Sequence, residues 1–408
     1  MKKKKIPPFI STADQASFAE YTVLQRMPQI IDQVINDNEP SSSVRNDLLA
    51  IKKELKDGKI TSPVDFSSRE TSFLEDNEIK VWEEQIKLYE GKYWRNVPWY
   101  FAEALFYFKI LFAFRYFEKG SEFYLKDPFQ KAKEKELFSN GGGLNNARSI
   151  LDLIHKVDSR HRRIKALVHA SLWGNRIDLS IPKIASRAGE RILNREDNNL
   201  IIDHSDIFIE KLLESENVTV VADNCGTELV CDLILIENLL QYSDNTIVHI
   251  HLNKYPMFVS DAMIKDVEQT LNALTRDRHE EVSETGRRLR SFITEKRFIL
   301  RNHFFWNSPL HYIDIPEDLR SELSKQDIVI FKGDANYRRL LSDRKWHPWT
   351  DMEEISGYFP TSFAVLRTMK SEIAVDISRE MFETLTSIDP EWLINGERGI
   401  IRMVEIQK

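Results

Sequence analysis

The feature that most restricts the fold is a change in the spacing of apolar residues near Ser215. From about Asp14 to Trp173, apolar residues recur at helical intervals. After Ser215, short β-branched runs alternate with helical segments, which is typical of a mostly parallel sheet covered by helices. Four of these runs are predicted strands: Val218–Ala222, Thr246–Leu252, Ile328–Phe331 and Phe363–Leu366.

The length of the chain favours two lobes. Its 408 residues exceed the roughly 250 to 300 residues at which a single hydrophobic core stops growing. The segment Asn175–Asp206 mixes Pro182, Gly189 and many charges without clear periodicity, as a surface connection does. We therefore predict a mainly helical N-terminal lobe at residues 1–190 and an α/β domain at residues 191–408.

One segment of the N-terminal lobe is apolar nearly all the way round. It runs from Trp99 to Phe114, directly after Pro98, and is predicted to be a buried helix. Glu103 lies within it, and a carboxylate in an apolar setting needs a partner.

Composition limits the partners and the location of the protein. A formal net charge of -7, with basic residues spread along the chain, argues against nucleic acid as the main partner. No apolar stretch approaches the roughly twenty residues of a membrane span, and no signal-peptide core follows Met1–Lys5. Cys225 and Cys231 cannot form a disulfide framework. We expect a cytoplasmic protein, or also a nuclear one if the four N-terminal lysines act as a signal rather than as a solvated tail; the oligomeric state stays open.

The polar segment after the first predicted strand is a candidate site. Asp223 and Asn224 lie between this strand and a helical segment, at the edge of a sheet where ligands of α/β proteins bind. Glu228 is either a further ligand or a first-turn acid favoured by the helix dipole. For Asp232, one turn later, the helix dipole is a better explanation than a ligand role.

The second predicted strand carries a histidine pair and leads to another acid. His249 and His251 lie on one face of the strand, and an HxH pair can bind zinc. No third ligand lies at a recognisable spacing, so we prefer side chains packed on a sheet face. Asp261 precedes a helical segment, and on its residue type alone it is better interpreted as a helix N-cap.

The third predicted strand is followed by a turn at Gly333 with four polar side chains, and these suit a polyhydroxylated ligand: Asp334, Asn336, Tyr337 and Arg338. Ordinary turn chemistry explains the acid and the amide equally well.

The fourth predicted strand runs into Arg367, Thr368 and Lys370, which offer the charge and hydrogen-bond donors that phosphate binding needs. The alternative is a solvated basic helix start, although cations are unfavourable there. Together, the acids and the amide at this predicted sheet edge would be hard oxygen ligands, which favour magnesium or manganese over zinc or copper.

Several segments resemble one family in kind and in order. DNCGTELVCDL at Asp223 resembles the DNxGxE signature of the damage-control phosphatases, and Arg367–Lys370 matches the RTxK motif of their subfamily III. This branch contains sugar phosphate phosphatases and is related to an acidic residue methyltransferase. Further similar segments are Ser171–Asn175, Phe258–Asp261, FKGDANYRRL from Phe331 and DRKW from Asp343.

The resemblance implies an α/β fold in which a helical N-terminal lobe packs on a three-layer α/β/α sandwich with a mostly parallel sheet. It implies that Asp223, Asn224 and Asp261 hold a divalent metal, Mn²⁺, Co²⁺, Ni²⁺ or Mg²⁺, in a catalytic domain at residues 191–408. It implies these substrate-binding residues: Asn175, Glu228, Asp334, Asn336, Tyr337, Arg338, Arg367, Thr368 and Lys370.

The implied function is hydrolysis of small sugar phosphates, such as fructose 1-phosphate and fructose 6-phosphate, in metabolite repair. A metal-activated water would attack the phosphoryl group, Lys370 and Arg338 would neutralise its oxygens, and Asp223 or Asp261 would accept the proton. A covalent aspartyl phosphate is the second mechanism, but enzymes that use it carry another Asp two residues on. Here that position is Cys225, where related sequences often have a smaller residue, and its thiol makes inhibition by thiol reagents an expectation.

Two other classes of function stay open. One is an S-adenosylmethionine-dependent protein carboxyl (glutamate) methyltransferase, although Gly226 stands alone where such a site usually has a glycine-rich turn. The other is a non-catalytic binding module. A degenerate, non-catalytic copy is expected to have lost at least one residue of the proposed site. All of these are present: Asp223, Asn224, Asp261, Arg367 and Lys370.

Overall fold

The structure is a computed structural model, and it describes residues 6–63, 73–174 and 199–406. The chain before residue 175 is helical wherever it is described with regular structure, as the apolar spacing predicts. Its helices are α1 (Phe18–Tyr21), a π-helical segment (Thr22–Arg26), α2 (Met27–Asn38), α3 (Ser42–Asp57), α4 (Asp76–Tyr89), α5 (Trp99–Ala113), α6 (Gln130–Phe138), α7 (Gly143–Ile154) and α8 (Arg160–Trp173).

The α/β part begins at residue 200. Its strands are β1 (Leu200–Asp203), β2 (Asn217–Val221), β3 (Ile247–Leu252), β4 (Phe298–Asn302), β5 (Ile328–Lys332), β6 (Phe363–Thr368) and β7 (Gly399–Val404). The helices between them are α9 (Ser205–Glu214), α10 (Thr227–Gln241), α11 (Ile264–Thr275), α12 (Glu280–Thr294), α13 (Phe304–Asn307), a 3₁₀ turn (Tyr312–Asp314), α14 (Glu317–Leu323), α15 (Gly333–Leu340), α16 (Met352–Ser356) and α17 (Arg379–Ile388).

The strands form one sheet in the order β1-β7-β6-β5-β2-β3-β4. Every neighbouring pair is parallel except β6 and β7. The four predicted strands correspond to β2, β3, β5 and β6. The prediction of a mostly parallel sheet is therefore confirmed.

Helices cover both faces of the sheet, because successive strand residues alternate between two cores. Val218 and Val220 of β2 pack with α7 to α12, whereas Val221 packs with α13 to α17 on the other face. This arrangement confirms the three-layer α/β/α sandwich. Within the described residues, the helices lack the length and apolar character needed to cross a bilayer.

The helical lobe has a core of its own, built mainly from α2 to α5. Trp82 and Phe108 stack in it with their ring centroids 4.0 Å apart. The buried carboxylate of Glu103 accepts a hydrogen bond of 2.6 Å from Arg338 of α15, which confirms that it needs a partner and links this lobe to the sheet. Helix α8 packs on β6, whereas α7 packs on α8 and α10. The predicted boundary at residue 190 lies outside the described residues.

Candidate active site

The topology collects polar residues at one edge of the sheet. The chain leaves β2 towards β3 on one side and later returns to β5 on the other, so β2 and β5 flank a point where strand order reverses. Ligands of open α/β sheets bind beyond the carboxyl ends of strands at such a point. Asp223 and Asn224 follow β2, Asp261 follows β3, and Asp334 follows β5.

Backbone pairing holds the loop after β3 against the loop after β2. Asn224 and Asp261 form an isolated antiparallel bridge, and the N–H of Ala262 donates to the carbonyl of Asp223 at 2.8 Å. Asp261 is not a helix N-cap, because α11 begins at Ile264. The N-cap interpretation was therefore wrong. The backbone of Asp261 pairs with Asn224 instead, and Met263 occupies the N-cap position of α11.

The same loop contains strained backbone. Phe258 and Val259 have positive φ angles of 47° and 67°. A β-branched residue rarely adopts this conformation, and such strain persists only where surrounding contacts impose it. Here the strained pair directly precedes Ser260 and Asp261, whose side chains make hydrogen bonds to Asn224 and Asn253.

The side chains at the edge are connected by hydrogen bonds. The amide of Asn224 donates to Asp223 at 2.8 Å and to Glu228 at 3.0 Å. The hydroxyl of Ser260 donates to the amide oxygen of Asn224 at 2.5 Å. A carboxylate oxygen of Asp261 accepts from Asn253 at 2.8 Å.

The two aspartates sit in an electrostatic environment that disfavours their negative charge. Burial, with the Glu228 and Asp261 carboxylates adding to it, raises the pKa of Asp223 well above its ordinary value. Burial likewise raises the pKa of Asp261 to about 7, although Lys133 and Asn253 oppose the rise. Among the described residues, neither aspartate forms an ion pair through its side chain. Two carboxylates and an amide oxygen in such a setting fit a hard divalent cation.

Gly333 begins α15 directly after β5 and lies against Asp223, which follows β2. Its φ is +82°, and a Cβ atom at this position would lie 1.9 Å from the Oδ2 atom of Asp223. Any side chain here would therefore displace Asp223, so the glycine is needed for contact as well as for conformation.

Lys332 is a buried residue on one side of the site that the sequence analysis did not assign to it. The ammonium of Lys332, at the end of β5, donates to Glu228 at 3.1 Å, to Asp232 at 2.9 Å and to the carbonyl of Ser171 at 2.6 Å. Asp232 lies beyond the first turn of α10 and is buried and paired with Lys332, so this ion pair rather than the helix dipole explains it. A lysine that ends an otherwise apolar strand was the signal that could have identified this group.

Two cavities lie at this edge of the sheet, and Asp223 and Asp261 line only the smaller one. The larger, about 280 Å³, is lined by Asn224, Glu228, Ser260, Thr368 and Lys370, among others. The smaller, about 20 Å³, is bounded by side chains that include Asp223, Asp261, His251 and Asn336. Lys370 is exposed, and its ammonium forms no ion pair within the described residues.

Other predicted substrate residues are engaged by the protein and line neither of these two cavities. Arg338 is buried between Glu103 and Asp343, at 2.6 and 2.9 Å. Arg367 is buried against Asp334 at 2.7 Å, with its guanidinium 4.1 Å from the ring centroid of Tyr337.

The Tyr337 hydroxyl in turn accepts from the N–H of Val375 at 3.0 Å. Asn336 donates to the carbonyl of Lys332 at 2.8 Å. Asn175 lies outside the described residues. Contact of these residues with a substrate stays a prediction.

The environment of Cys225 does not favour reaction with thiol reagents. The residue is buried, and burial raises the pKa of its thiol. The reactive thiolate is therefore scarce.

The histidine pair has a neighbour that sequence spacing could not reveal. His249 and His251 of β3 lie beside Glu322 of α14, and their ligand atoms are all within 4.8 Å of one another. Within the described residues, Asp223, Glu228 and Asp261 do not form a group of this kind, and the amide of Asn224 donates to both Asp223 and Glu228.

Known proteins resemble this chain along most of its length. The damage-control phosphatase ARMT1-like domain matches residues 22–385. Damage-control phosphatase ARMT1 of Rattus norvegicus is 29% identical over 436 residues, which cover 97% of this chain and 98% of that protein. The Homo sapiens protein of the same description is 27% identical over 440 residues, with the same coverage. Both descriptions are of phosphatases, so the methyltransferase alternative is not favoured.

A solved structure is also similar. The crystal structure of a DUF89 family protein from Pyrococcus horikoshii aligns with a TM-score of 0.45 and 14% identity, and covers 87% of this chain and 91% of that chain.

Proposed function

This chain belongs to the damage-control phosphatase ARMT1-like domain family, and we propose that it is a metal-dependent phosphatase of small sugar phosphates, such as fructose 1-phosphate and fructose 6-phosphate. The observation that carries the proposal is the pair Asp223 and Asp261. Both are partly buried at one sheet edge, with raised pKa values and without ion-pair partners among the described residues. A bound divalent cation would offset this cost.

The groups proposed to hold the metal are the carboxylates of Asp223 and Asp261 and the amide oxygen of Asn224. These are hard oxygen ligands, which suit Mg²⁺ and Mn²⁺ and also accept Co²⁺ or Ni²⁺. A metal held there would polarise a phosphoryl group and acidify a water molecule. The hydroxyl of Ser260 donates a hydrogen bond to the amide oxygen of Asn224 and thereby orients the amide.

The chain supplies a cation for the phosphate. Lys370 and Thr368 line the larger cavity together with Asn224 and Glu228. An exposed ammonium without an ion-pair partner can approach a phosphate directly, whereas Arg338 and Arg367 are held in buried ion pairs. We assign phosphate recognition to Lys370, and to the two arginines the positioning of neighbouring loops.

The size and lining of the larger cavity support a small, hydroxylated substrate. Its volume of about 280 Å³ is slightly below the roughly 300 to 1,000 Å³ of small-molecule sites. Asn224, Glu228, Ser260 and Thr368 give it several hydrogen-bonding groups. A sugar hydroxyl can use such groups, whereas an apolar leaving group would leave them without partners.

The test is phosphate release by chelator-treated protein with Mn²⁺, Co²⁺, Ni²⁺ or Mg²⁺ added singly. The substrates are the two fructose phosphates, phosphoserine and p-nitrophenyl phosphate. We expect release from the fructose phosphates only when metal is present. Asp244→Asn removes an exposed acid and serves as the control for Asp223→Asn. Equal release without metal would refute the metal dependence, and equal release from all four esters would refute the sugar preference.

A further inference from the structure

A second cluster of side chains that could bind a metal ion, His249, His251 and Glu322, lies on the sheet face covered by α13 to α17. The Nδ1 atom of His249 is 3.7 Å from Oε1 of Glu322, and the Nε2 atom of His251 is 3.6 Å from the same oxygen. The histidines are two residues apart on β3, so the strand holds both imidazoles on one face. Glu322 reaches them from α14.

The polar atoms of this group are buried without hydrogen-bond partners. Neither ring nitrogen of His251 has a partner among the described residues, and the same is true of His249 Nδ1 and Glu322 Oε1. His251 is only 2% exposed. On β2, Thr219 is in register with His249, and its hydroxyl is also buried without a partner. Buried polar groups are nearly always satisfied, so this concentration requires an explanation.

We propose that His249, His251 and Glu322 bind a divalent transition-metal ion of the zinc type, at a site separate from Asp223, Asn224 and Asp261. Metal–ligand bonds of about 2.0 to 2.1 Å place neighbouring ligands roughly 3.3 to 3.5 Å apart in a tetrahedron. The oxygen–nitrogen separations of 3.6 and 3.7 Å are close to that spacing.

The chemical types of these three ligands determine which metal ions the site would prefer. Two imidazoles and one carboxylate suit zinc, and also cobalt, nickel or copper, more than Mg²⁺, which prefers oxygen ligands. Burial lowers the pKa of His251 to about 4, so its imidazole is neutral and can act as a ligand at physiological pH. The chain would then offer two sites of different chemical preference.

One cation competes for the carboxylate. The Nε atom of Arg301 lies 3.4 Å from Oε1 of Glu322. Arg301 is on the edge strand β4, and its side chain is 48% exposed. It can therefore turn to solvent when a metal binds. Removal of this guanidinium should strengthen metal binding, whereas it should have no such effect if the cluster is only an ion pair.

Occupancy would also affect the neighbouring cavity. His251 lines the small cavity bounded by Asp223 and Asp261. A metal ion on its ring would fix the orientation of this wall and connect β3 to α14. The two sites are therefore adjacent without sharing a ligand.

Zinc alone is the probe, added to the chelator-treated full chain in competition with a chromophoric chelator. The test variants are Glu322→Gln, His249→Gln and Arg301→Gln, and Glu317→Gln removes an exposed acid from the same helix as the matched control. All are made on an Asp223→Asn background, so that failure of the proposed catalytic site cannot affect the result. The absorption spectrum of bound Co²⁺ reports whether imidazole nitrogens are ligands.

We expect Glu322→Gln and His249→Gln each to weaken zinc binding by about 10- to 100-fold or more, and to change the cobalt spectrum. Glu317→Gln should match its parent, and Arg301→Gln should bind more tightly. Circular dichroism confirms that each variant is folded. Unchanged zinc affinity in folded Glu322→Gln and His249→Gln, or equal losses in Glu317→Gln, would overturn the proposal.

Discussion

Asp334 and Asp223 follow adjacent parallel strands at the same edge of the sheet, and both are partly buried, yet their surroundings differ. Arg367 donates to Asp334 at 2.7 Å, and Ser371 donates to it at 3.0 Å. Burial raises the pKa of Asp334, but Arg367 and Arg338 lower it on balance below its ordinary value. Asp223 has two carboxylates nearby, and its pKa is raised.

This difference distinguishes Asp334, which stabilises the fold, from Asp223, which is available to bind a cation. An acid with a buried guanidinium partner stabilises the structure as it stands, because both charges are compensated. An acid that faces other acids destabilises the protein until a cation arrives. The same substitution, Asp to Asn, should therefore have opposite consequences at the two strand ends.

The largest expected effect is on activity at Asp223. Asp223→Asn replaces a proposed metal ligand by a neutral amide of the same shape, and we expect kcat/KM for fructose 1-phosphate with Mn²⁺ to fall by at least about 10³-fold. Thermal unfolding in chelator should show equal or higher stability, because a repelled charge has been removed. A large loss of stability in the metal-free variant would contradict the comparison.

The second effect is on stability at Asp334. Asp334→Asn leaves the guanidinium of Arg367, which is fully buried, without its charged partner. Breaking a buried ion pair on one side costs about 3 to 5 kcal/mol, so denaturant unfolding should shift strongly even without metal. Asp244→Asn is the exposed control. A variant as stable as the parent protein would mean that Asp334 does not serve the fold in this way.

A third prediction compares the exposed cation with the buried ones. Lys370→Ala should lower kcat/KM by about 10- to 100-fold, because it removes a full charge from the phosphate site. Its stability should stay unchanged, since the ammonium forms no ion pair within the described residues. Lys370→Arg should restore part of the activity, and Lys325→Ala, another exposed lysine, should have none of these effects. Unchanged kinetics in Lys370→Ala would assign phosphate recognition to another group.

Local patterns predicted the frame of the molecule well. β2, β3, β5 and β6 consist mostly of apolar residues, as expected of strands buried on both faces. The missed strands are β1 and β4, at the edges of the sheet, and β7, where Arg402 interrupts a buried apolar run. β4 includes Arg301 and Asn302, and β1 spans only four residues. Edge strands are partly exposed, so their sequences lose the pattern that identifies a buried strand.

The candidate site was less predictable, because its partners come from distant parts of the chain. Arg338 looked like a phosphate-binding group until the structure showed Glu103, 235 residues away, at its side. Lys332 and Ser171 are likewise 161 residues apart. Spacing shows which residues share an element, but not which charges meet across the fold. Glu322 was missed for the same reason.

The smallest expected effect is a dependence of stability on pH, and it again separates the two strand ends. In the metal-free protein the pKa of Asp261 is about 7, against an ordinary value of 3.8. Between these values the folded state keeps a proton that the unfolded state has lost, so stability should fall as pH rises from about 4 to about 7 and then level off. The slope for one proton is at most roughly 1.4 kcal/mol per pH unit.

Asp223 acts in the same direction, so Asp261→Asn should reduce the slope without removing it. Asp334→Asn should leave the slope between pH 5 and 7 unchanged, since the pKa of Asp334 lies below its ordinary value. Saturating Mn²⁺ should abolish the fall in the parent protein, because the metal favours the ionised carboxylates. Denaturant unfolding of the three proteins at pH 5, 6, 7 and 8, in chelator and in Mn²⁺, measures all of this. A parent protein whose metal-free stability rises over this range would show that the Asp223 and Asp261 carboxylates are not held against their charge.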